Sequence, residues 1–173
     1  VDAIPKKIKE WIARQLIFEC EYNPLELRRI GLEAIKVSNG FRFRFVKTQQ
    51  EYDDVLKLRF KAYKEAGKVD SSKTYEDMIA PLDNLSRILI ALHGDKIVAS
   101  VSISFPNDPQ LILDTERAFP RGYPSPVPPK TEVVEIARLC TDSDYRRTDL
   151  LNRIFEFTYK VTVCGDRKYI LTS

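Results

Sequence analysis

Histidine is nearly absent from this chain: His93 is the single one among 173 residues. A catalytic pair or metal centre built on two imidazoles is therefore excluded, since one ring supplies one base or one ligand. Cysteine is scarce as well. Cys20, Cys140 and Cys164 are odd in number, widely spaced and without a metal-binding pattern. They read as free thiols of a reducing cytoplasm rather than a disulfide framework. No run approaches the ~20 apolar residues of a membrane span, and the first residues do not read as a signal peptide. A large excess of either charge is also lacking, because 28 Lys and Arg against 25 Asp and Glu leave +3. So mild a surplus suits anionic small molecules or acidic protein partners and falls short of what duplex nucleic acid requires.

What is present is the material of one core. Hydrophobic residues make up 43% and aromatics 10% of the chain, enough for a single domain with an appendage. Residues 5–18 place Ile8, Trp11, Ile12 and Leu16 on one helical face, and a second helix follows the cap signal Asn23-Pro24. After Gly40 the period changes to two in Phe41-Arg-Phe-Arg-Phe-Val46, aromatic on one face and basic on the other. The aromatic stripe is expected in the core. A long helix is predicted from Thr48, its cap, to Gly67. Polar, turn-rich residues 70–86 carry a short helix around Tyr75. Strands over 87–92 and 96–105 join through His93-Gly94-Asp95, which leaves His93 facing solvent. Residues 106–130 hold seven of the ten prolines and read as a mobile loop flanking a site, with Asp114, Glu116, Arg117 and Arg121 as its polar contacts. A strand at 132–140, a helix from Arg147 to Val163 and a strand at 168–172 complete a mixed sheet with helices on both faces.

The strand Thr131-Glu-Val-Val-Glu-Ile-Ala-Arg-Leu-Cys140 carries the strongest chemical signal. Glu135 and Arg138 are costly to bury on such a strand unless they have partners or a task. Just beyond, Tyr145-Arg-Arg-Thr-Asp-Leu opens an amphipathic helix with two arginines. A helix N-terminus with arginines suits an anion, because unpaired N–H groups and the helix dipole point at it. Together these residues point to chemistry beside a bound phosphate.

The element order and the basic turn after the fourth strand resemble the GCN5-related N-acetyltransferases (GNAT). Glu135-Ile-Ala-Arg138-Leu is similar to the Glu-x-Ser-Arg-Phe stretch of acyl-homoserine-lactone (autoinducer) synthases and to its counterpart in long-chain N-acyl amino acid synthases. Arg59-Phe60-Lys-Ala-Tyr63-Lys-Glu65 resembles the Arg-x-x-Val/Phe-Tyr segment of that branch. Asp83, then Ile88-Leu-Ile-Ala and the hairpin to Ile97-Val-Ala-Ser-Val, is similar to its Asp-then-strand pattern. The likeness spans residues 41–173.

This resemblance implies an α/β fold, a GNAT-like mixed sheet flanked by helices. Residues 1–40 would be a helical lead-in or linker and 41–173 the core, without the family's later strands. The ends, Val1 and the strand-like Lys168-Tyr-Ile-Leu-Thr-Ser173, read as those of a piece of a longer protein. The implied activity moves a fatty acyl group from an acyl-carrier-protein or acyl-CoA thioester to the amine of an amino acid or related acceptor. Glu135 would be the general base with Arg138 beside it, and backbone N–H groups near Leu139 and Cys140 would polarise the thioester. Arg146, Arg147, Thr148 and Asp149 would hold the donor's phosphate, while Arg59 and Asp83 would bind the acceptor or one another. An acyl carrier protein is the implied partner and the cytoplasm the implied location, with no metal and no tightly bound cofactor beyond the acyl-CoA or acyl-phosphopantetheine substrate.

Each assignment competes with a plainer one. Glu135 and Arg138 also suit an ion pair at a strand edge, Arg146 and Arg147 a solvated turn, Arg59 a paired helical charge, and Asp83 a turn. The turn Arg146-Arg-Thr-Asp149-Leu-Leu151 lacks both glycines of the acetyltransferase pattern Arg/Gln-x-x-Gly-x-Gly/Ala. Glycines let backbone approach a pyrophosphate closely, so this turn suits a carrier protein's single phosphodiester better than coenzyme A. The second functional reading is a catalytically silent module binding a ligand or partner within a larger regulatory protein.

Overall fold

A computed structural model describes residues 20–21, 40–70, 72–119 and 128–173. The helices expected at 5–18 and 23–35 lie outside these residues, as do Arg121 and the rest of 120–127. The described chain forms one six-stranded sheet in sequential order, β1 (Cys20–Glu21), β2 (Phe41–Phe45), β3 (Ser86–His93), β4 (Lys96–Ser104), β5 (Val133–Thr141) and β6 (Tyr169–Thr172). Neighbours are antiparallel except β5 and β6, which run parallel. Such a pair needs a crossover, and helix α3 (Leu150–Cys164) supplies it. Helix α1 (Gln49–Glu65) joins β2 to β3, and a short helix α2 (Asp114–Ala118) lies between β4 and β5. The mixed sheet flanked by helices is as expected.

Alternation along β3 decides the layers. Leu89 and Ala91 face the cluster built with Phe41, Phe43 and the α3 residues Leu150, Ile154, Phe157 and Val161. Ile88, Ile90 and Leu92 face Val55 of α1 on the other side. Both faces are covered, and for that reason Ile88-Leu-Ile-Ala-Leu92 reads as an unbroken apolar run. The aromatic stripe of β2 is core: Phe41 and Phe43 are buried, and Phe43 stacks on Phe157 at 6.0 Å between ring centroids. Across the strand, Arg44 grips Glu51 with two bonds of 2.6 and 3.0 Å. That contact holds the Glu51 carboxyl down at about 2.

Local signals placed α1 and the hairpin well. Thr48 caps α1 by accepting from the Glu51 N–H at 3.2 Å. His93 pairs with Lys96 across Gly94-Asp95, with Gly94 at φ 60°. His93 is exposed and its ring Nδ1 lies 3.0 Å from the Tyr145 hydroxyl. Two elements differ from expectation. Cys20–Glu21 extends the sheet beside β2 from within the stretch read as helical lead-in. Within the proline-rich segment, Leu113, Asp114 and Thr115 are buried and 114–118 is helical, so this part is a packed element rather than a loop.

Candidate active site

Strand β5 breaks its ladder where the sequence places Arg138. Ser100 of β4 faces Cys140 and Ser102 faces Ala137, so Val101 alone spans Arg138 and Leu139. Two residues opposite one make a β-bulge. Arg138 accommodates it with φ of 57°, a left-handed conformation that a non-glycine residue adopts only when its surroundings hold it there. On the other side, β6 accompanies β5 only from Val133 to Ile136. Backbone beyond Ile136 therefore has no strand partner on that edge among the described residues. A bulged, open strand edge offers N–H groups to a ligand.

This edge borders a cleft of about 610 Å³. Arg138 and Leu139 line it from β5, Tyr63 and Lys68 from α1 and the turn after it, Asp77 to Ile79 from a 3-10 turn, and Asp114, Arg117 and Ala118 from α2. The Arg138 Nε donates to Asp114 Oδ2 at 2.9 Å. Burial pulls the Arg138 guanidinium down, but the bond to Asp114, the charge of that carboxylate and the nearby Tyr63 hydroxyl together outweigh it and leave the pKa above its ordinary value. Burial, and then the nearby Cys140 thiol, push the Tyr63 hydroxyl up. Cys140 is buried with Leu58 and Ala62, and burial raises its thiol too, so it stays protonated at neutral pH.

Glu135, at 0% exposure, does not itself line the cleft. It accepts the Asp114 N–H at 3.1 Å, the Thr115 N–H at 2.6 Å and the Thr115 hydroxyl. These are donors of the first turn of α2, so a carboxylate three strand positions before the bulge anchors the helix that carries Asp114. Glu135 and Arg138 are not an ion pair: each has its own partner on α2, and α2 is what joins them. Asp114 is the site residue whose role the sequence did not disclose. It lies 24 residues from Arg138, beyond the reach of any local spacing rule.

The remaining predicted residues fall into two further groups. Arg59, at 0% exposure, holds Asp83 through bonds of 2.6 and 3.0 Å and also donates to Ser102 Oγ at 2.8 Å and the Met78 carbonyl at 3.2 Å. Asp83 additionally accepts from the Tyr52 hydroxyl and the Ala80 N–H, each at 2.9 Å. Burial pushes Asp83 up, yet Arg59, the Ala80 N–H and the Tyr52 hydroxyl together outweigh it and lower its pKa, while burial and then Asp83 drive Tyr52 to about 12. Of the alternatives for Arg59, organising Asp83 is the one seen. Neither residue lines the cleft, and Asp83 instead borders a separate hollow of about 470 Å³ beside Tyr52.

At the start of α3, Arg146 reaches Glu65 at 3.0 Å. Arg147 is exposed and takes φ of 62° without glycine. Thr148 accepts the Leu150 N–H at 3.3 Å and donates to the Tyr145 carbonyl at 2.7 Å, while buried Asp149 gives its carbonyl to the Arg153 N–H. Among the described residues no cluster of His, Cys, Asp and Glu could hold a metal ion, and no helix is long and apolar enough to cross a membrane.

Solved structures share this architecture. A predicted acetyltransferase with acetyl-CoA from Clostridium acetobutylicum superposes with a TM-score of 0.55 at 13% identity, over 77% of this chain and 80% of that one. An acetyltransferase from Streptococcus agalactiae gives 0.52 at 16% identity, covering 77% and 72%. An aminoglycoside acetyltransferase from an uncultured soil metagenomic sample, in complex with sisomicin, gives 0.51 at 13%, covering 78% and 77%. At such identities the likeness establishes the fold. A comparison with curated proteins gives no match. The sequence profile of the N-acyl amino acid synthases called FeeM, by contrast, matches residues 54–172, from α1 through the bulged strand to β6. That stretch is well over half of the chain and contains every residue that lines the cleft except Ser173, and the protein accordingly belongs to the FeeM N-acyl amino acid synthase family, N-acyltransferases on the GNAT fold.

Proposed function

We propose that this chain joins a fatty acyl group, delivered as a phosphopantetheine thioester, to the amine of an amino acid. The observation that carries the reading is the bulge at Arg138-Leu139, which opens a strand edge onto a cleft containing both carboxylate and cationic side chains. Preorganised N–H groups on such an edge stabilise the oxyanion that develops as an amine attacks a thioester carbonyl. Attack is direct: the C–N bond forms, the C–S bond breaks, and the thiol leaves. The protonated, buried Cys140 is in keeping with a route that has no acyl-enzyme.

An acyl carrier protein is favoured as donor over free acyl-CoA. The turn over 146–151 has no glycine for close approach to a pyrophosphate, whereas exposed Arg147 beside the start of α3 suits one phosphodiester and an acidic surface. A donor of this kind places the reaction in the cytoplasm. The test is to incubate the full chain with matched acyl-CoA and acyl-carrier-protein donors and a pool of amino acids, with products read by mass spectrometry. N-acyl amino acids, formed faster from the carrier protein, are expected. Thioester hydrolysis without an amide product overturns the reading.

A further inference from the structure

We propose that Asp114 holds the acceptor's ammonium group while Lys68 and Arg117 hold its carboxylate, so that the acceptor enters as a zwitterionic α-amino acid. This rests on the acyl-transfer reading above. Asp114 is 8% exposed and lines the cleft. Its Oδ2 is engaged by Arg138, but Oδ1 is buried without a hydrogen-bond partner. A carboxylate oxygen taken out of water and left unbonded is costly, and the natural relief is a donor from a ligand. An ammonium brings three.

The cations of the cleft complete the match. Lys68 and Arg117 line it, are exposed, and have no ion-pair partner among the described residues. The other acid of the cleft, Asp77, is already occupied by Lys73 at 3.6 Å and the Thr74 N–H at 2.8 Å. The buried negative oxygen and the outer positive groups thus present the charge pattern complementary to an amino acid entering nitrogen first. The nitrogen then lies beside Arg138 and the bulge, where the thioester carbonyl is to be polarised. Glu135 is a positioning residue, because it fixes the α2 turn from which Asp114 projects.

The protons balance. The ammonium loses one to solvent before attack, the amide keeps one, and the departing sulfur takes the third as its bond to carbon breaks. One proton per turnover is released.

The test pairs each common α-amino acid with its decarboxylated amine, using an acyl-carrier-protein donor. Acceptor binding without donor is followed in parallel by titration calorimetry. Wild type is expected to favour the amino acid over the amine by about tenfold or more, the factor one charge-assisted contact supplies. Asp114→Asn should raise the acceptor KM by about tenfold or more and leave the donor KM unchanged. Lys68→Ala with Arg117→Ala alters only exposed side chains, and it should abolish the preference for the carboxylate. That variant decides the matter if Asp114→Asn fails to fold. An unchanged acceptor KM in Asp114→Asn, or an undiminished preference in the double variant, overturns the assignment. Amino-acid binding that depends on Asp114 without any amide product would retain the site and reject the transfer reading. Amide formation with no dependence on Asp114 would do the reverse.

Discussion

At the scale of single residues, Arg138 meets two requirements, one of backbone and one of side chain. Its φ of 57° shapes the bulge, and its guanidinium holds Asp114. Arg138→Gly separates them, since glycine adopts that conformation freely. Relief of ~1 kcal/mol of left-handed strain offsets part of the loss of an ion pair whose arginine is partly exposed and whose aspartate is buried. The variant should fold with Tm lowered by only a few degrees, while turnover drops by about tenfold or more. Wild-type turnover in Arg138→Gly would show that the guanidinium is dispensable. Glu135 poses the complementary question. Its carboxylate accepts from three donors, and a glutamine there would turn an N–H₂ toward one of them. That mismatch costs about 1–3 kcal/mol, or several degrees of Tm. Glu135→Gln is therefore expected to lower Tm and raise the acceptor KM together, through displacement of Asp114. A fall in kcat of ~10²-fold with Tm and KM unchanged would instead assign Glu135 as the general base.

At the scale of elements, what was legible in the sequence depended on how far away each element's support lies. Thr48 announces α1 because its acceptor serves an N–H three residues on, and the alternation of β2 announces a face because the pleat imposes it. Helix α2 escaped notice among prolines because its supporting carboxylate, Glu135, lies 20 residues beyond Thr115. The charges of β5 are visible in the sequence, but their partners on α2 are not, so an ion pair between the two stands there as the alternative to a general base with an arginine beside it. Strand β1 is two residues long and shows no period at all. The turn into α3 was visible as an arginine pair, and its chemistry can be tested as a unit. Arg146 pairs with Glu65 at the exposed surface, a contact contributing ~0–1 kcal/mol, and Arg147 is exposed. Replacing both with alanine should leave Tm nearly unchanged. Binding of an acyl-carrier-protein donor should weaken by a few kcal/mol. Added salt should shrink the difference from wild type, because the outer attraction is screened beyond ~8 Å at physiological ionic strength. Tight, salt-insensitive acyl-CoA binding that survives the double change would return the turn to a structural role.

At the scale of the whole molecule, acid stability follows from carboxylates that tie separate elements together. Asp142, after β5, accepts from Lys61 of α1 and Lys96 of β4, each at 2.8 Å. Burial pushes its carboxyl up, but the two lysines outweigh it and hold it at about 2 against an ordinary 3.8. Glu51, bound by Arg44 across the junction of β2 and α1, lies at about 2 against 4.5. Both groups bind protons less readily in the folded chain than in the unfolded one. Their contribution is therefore complete above the unfolded values and is lost as pH falls from 4.5 toward about 2. Lys61 and Lys96 are about half exposed, so solvent screens these bridges and salt should weaken them further. Tm is expected to be flat near neutrality and to decline through that acid window. Asp142→Asn with Glu51→Gln should lower Tm at neutral pH, yet its curve should meet the wild-type curve near the acid end, where the native carboxylates are protonated as well. Thermal melts across the window decide it: if the double variant keeps the wild-type acid limb, parallel and merely displaced, other carboxylates govern acid unfolding and the two ties are incidental.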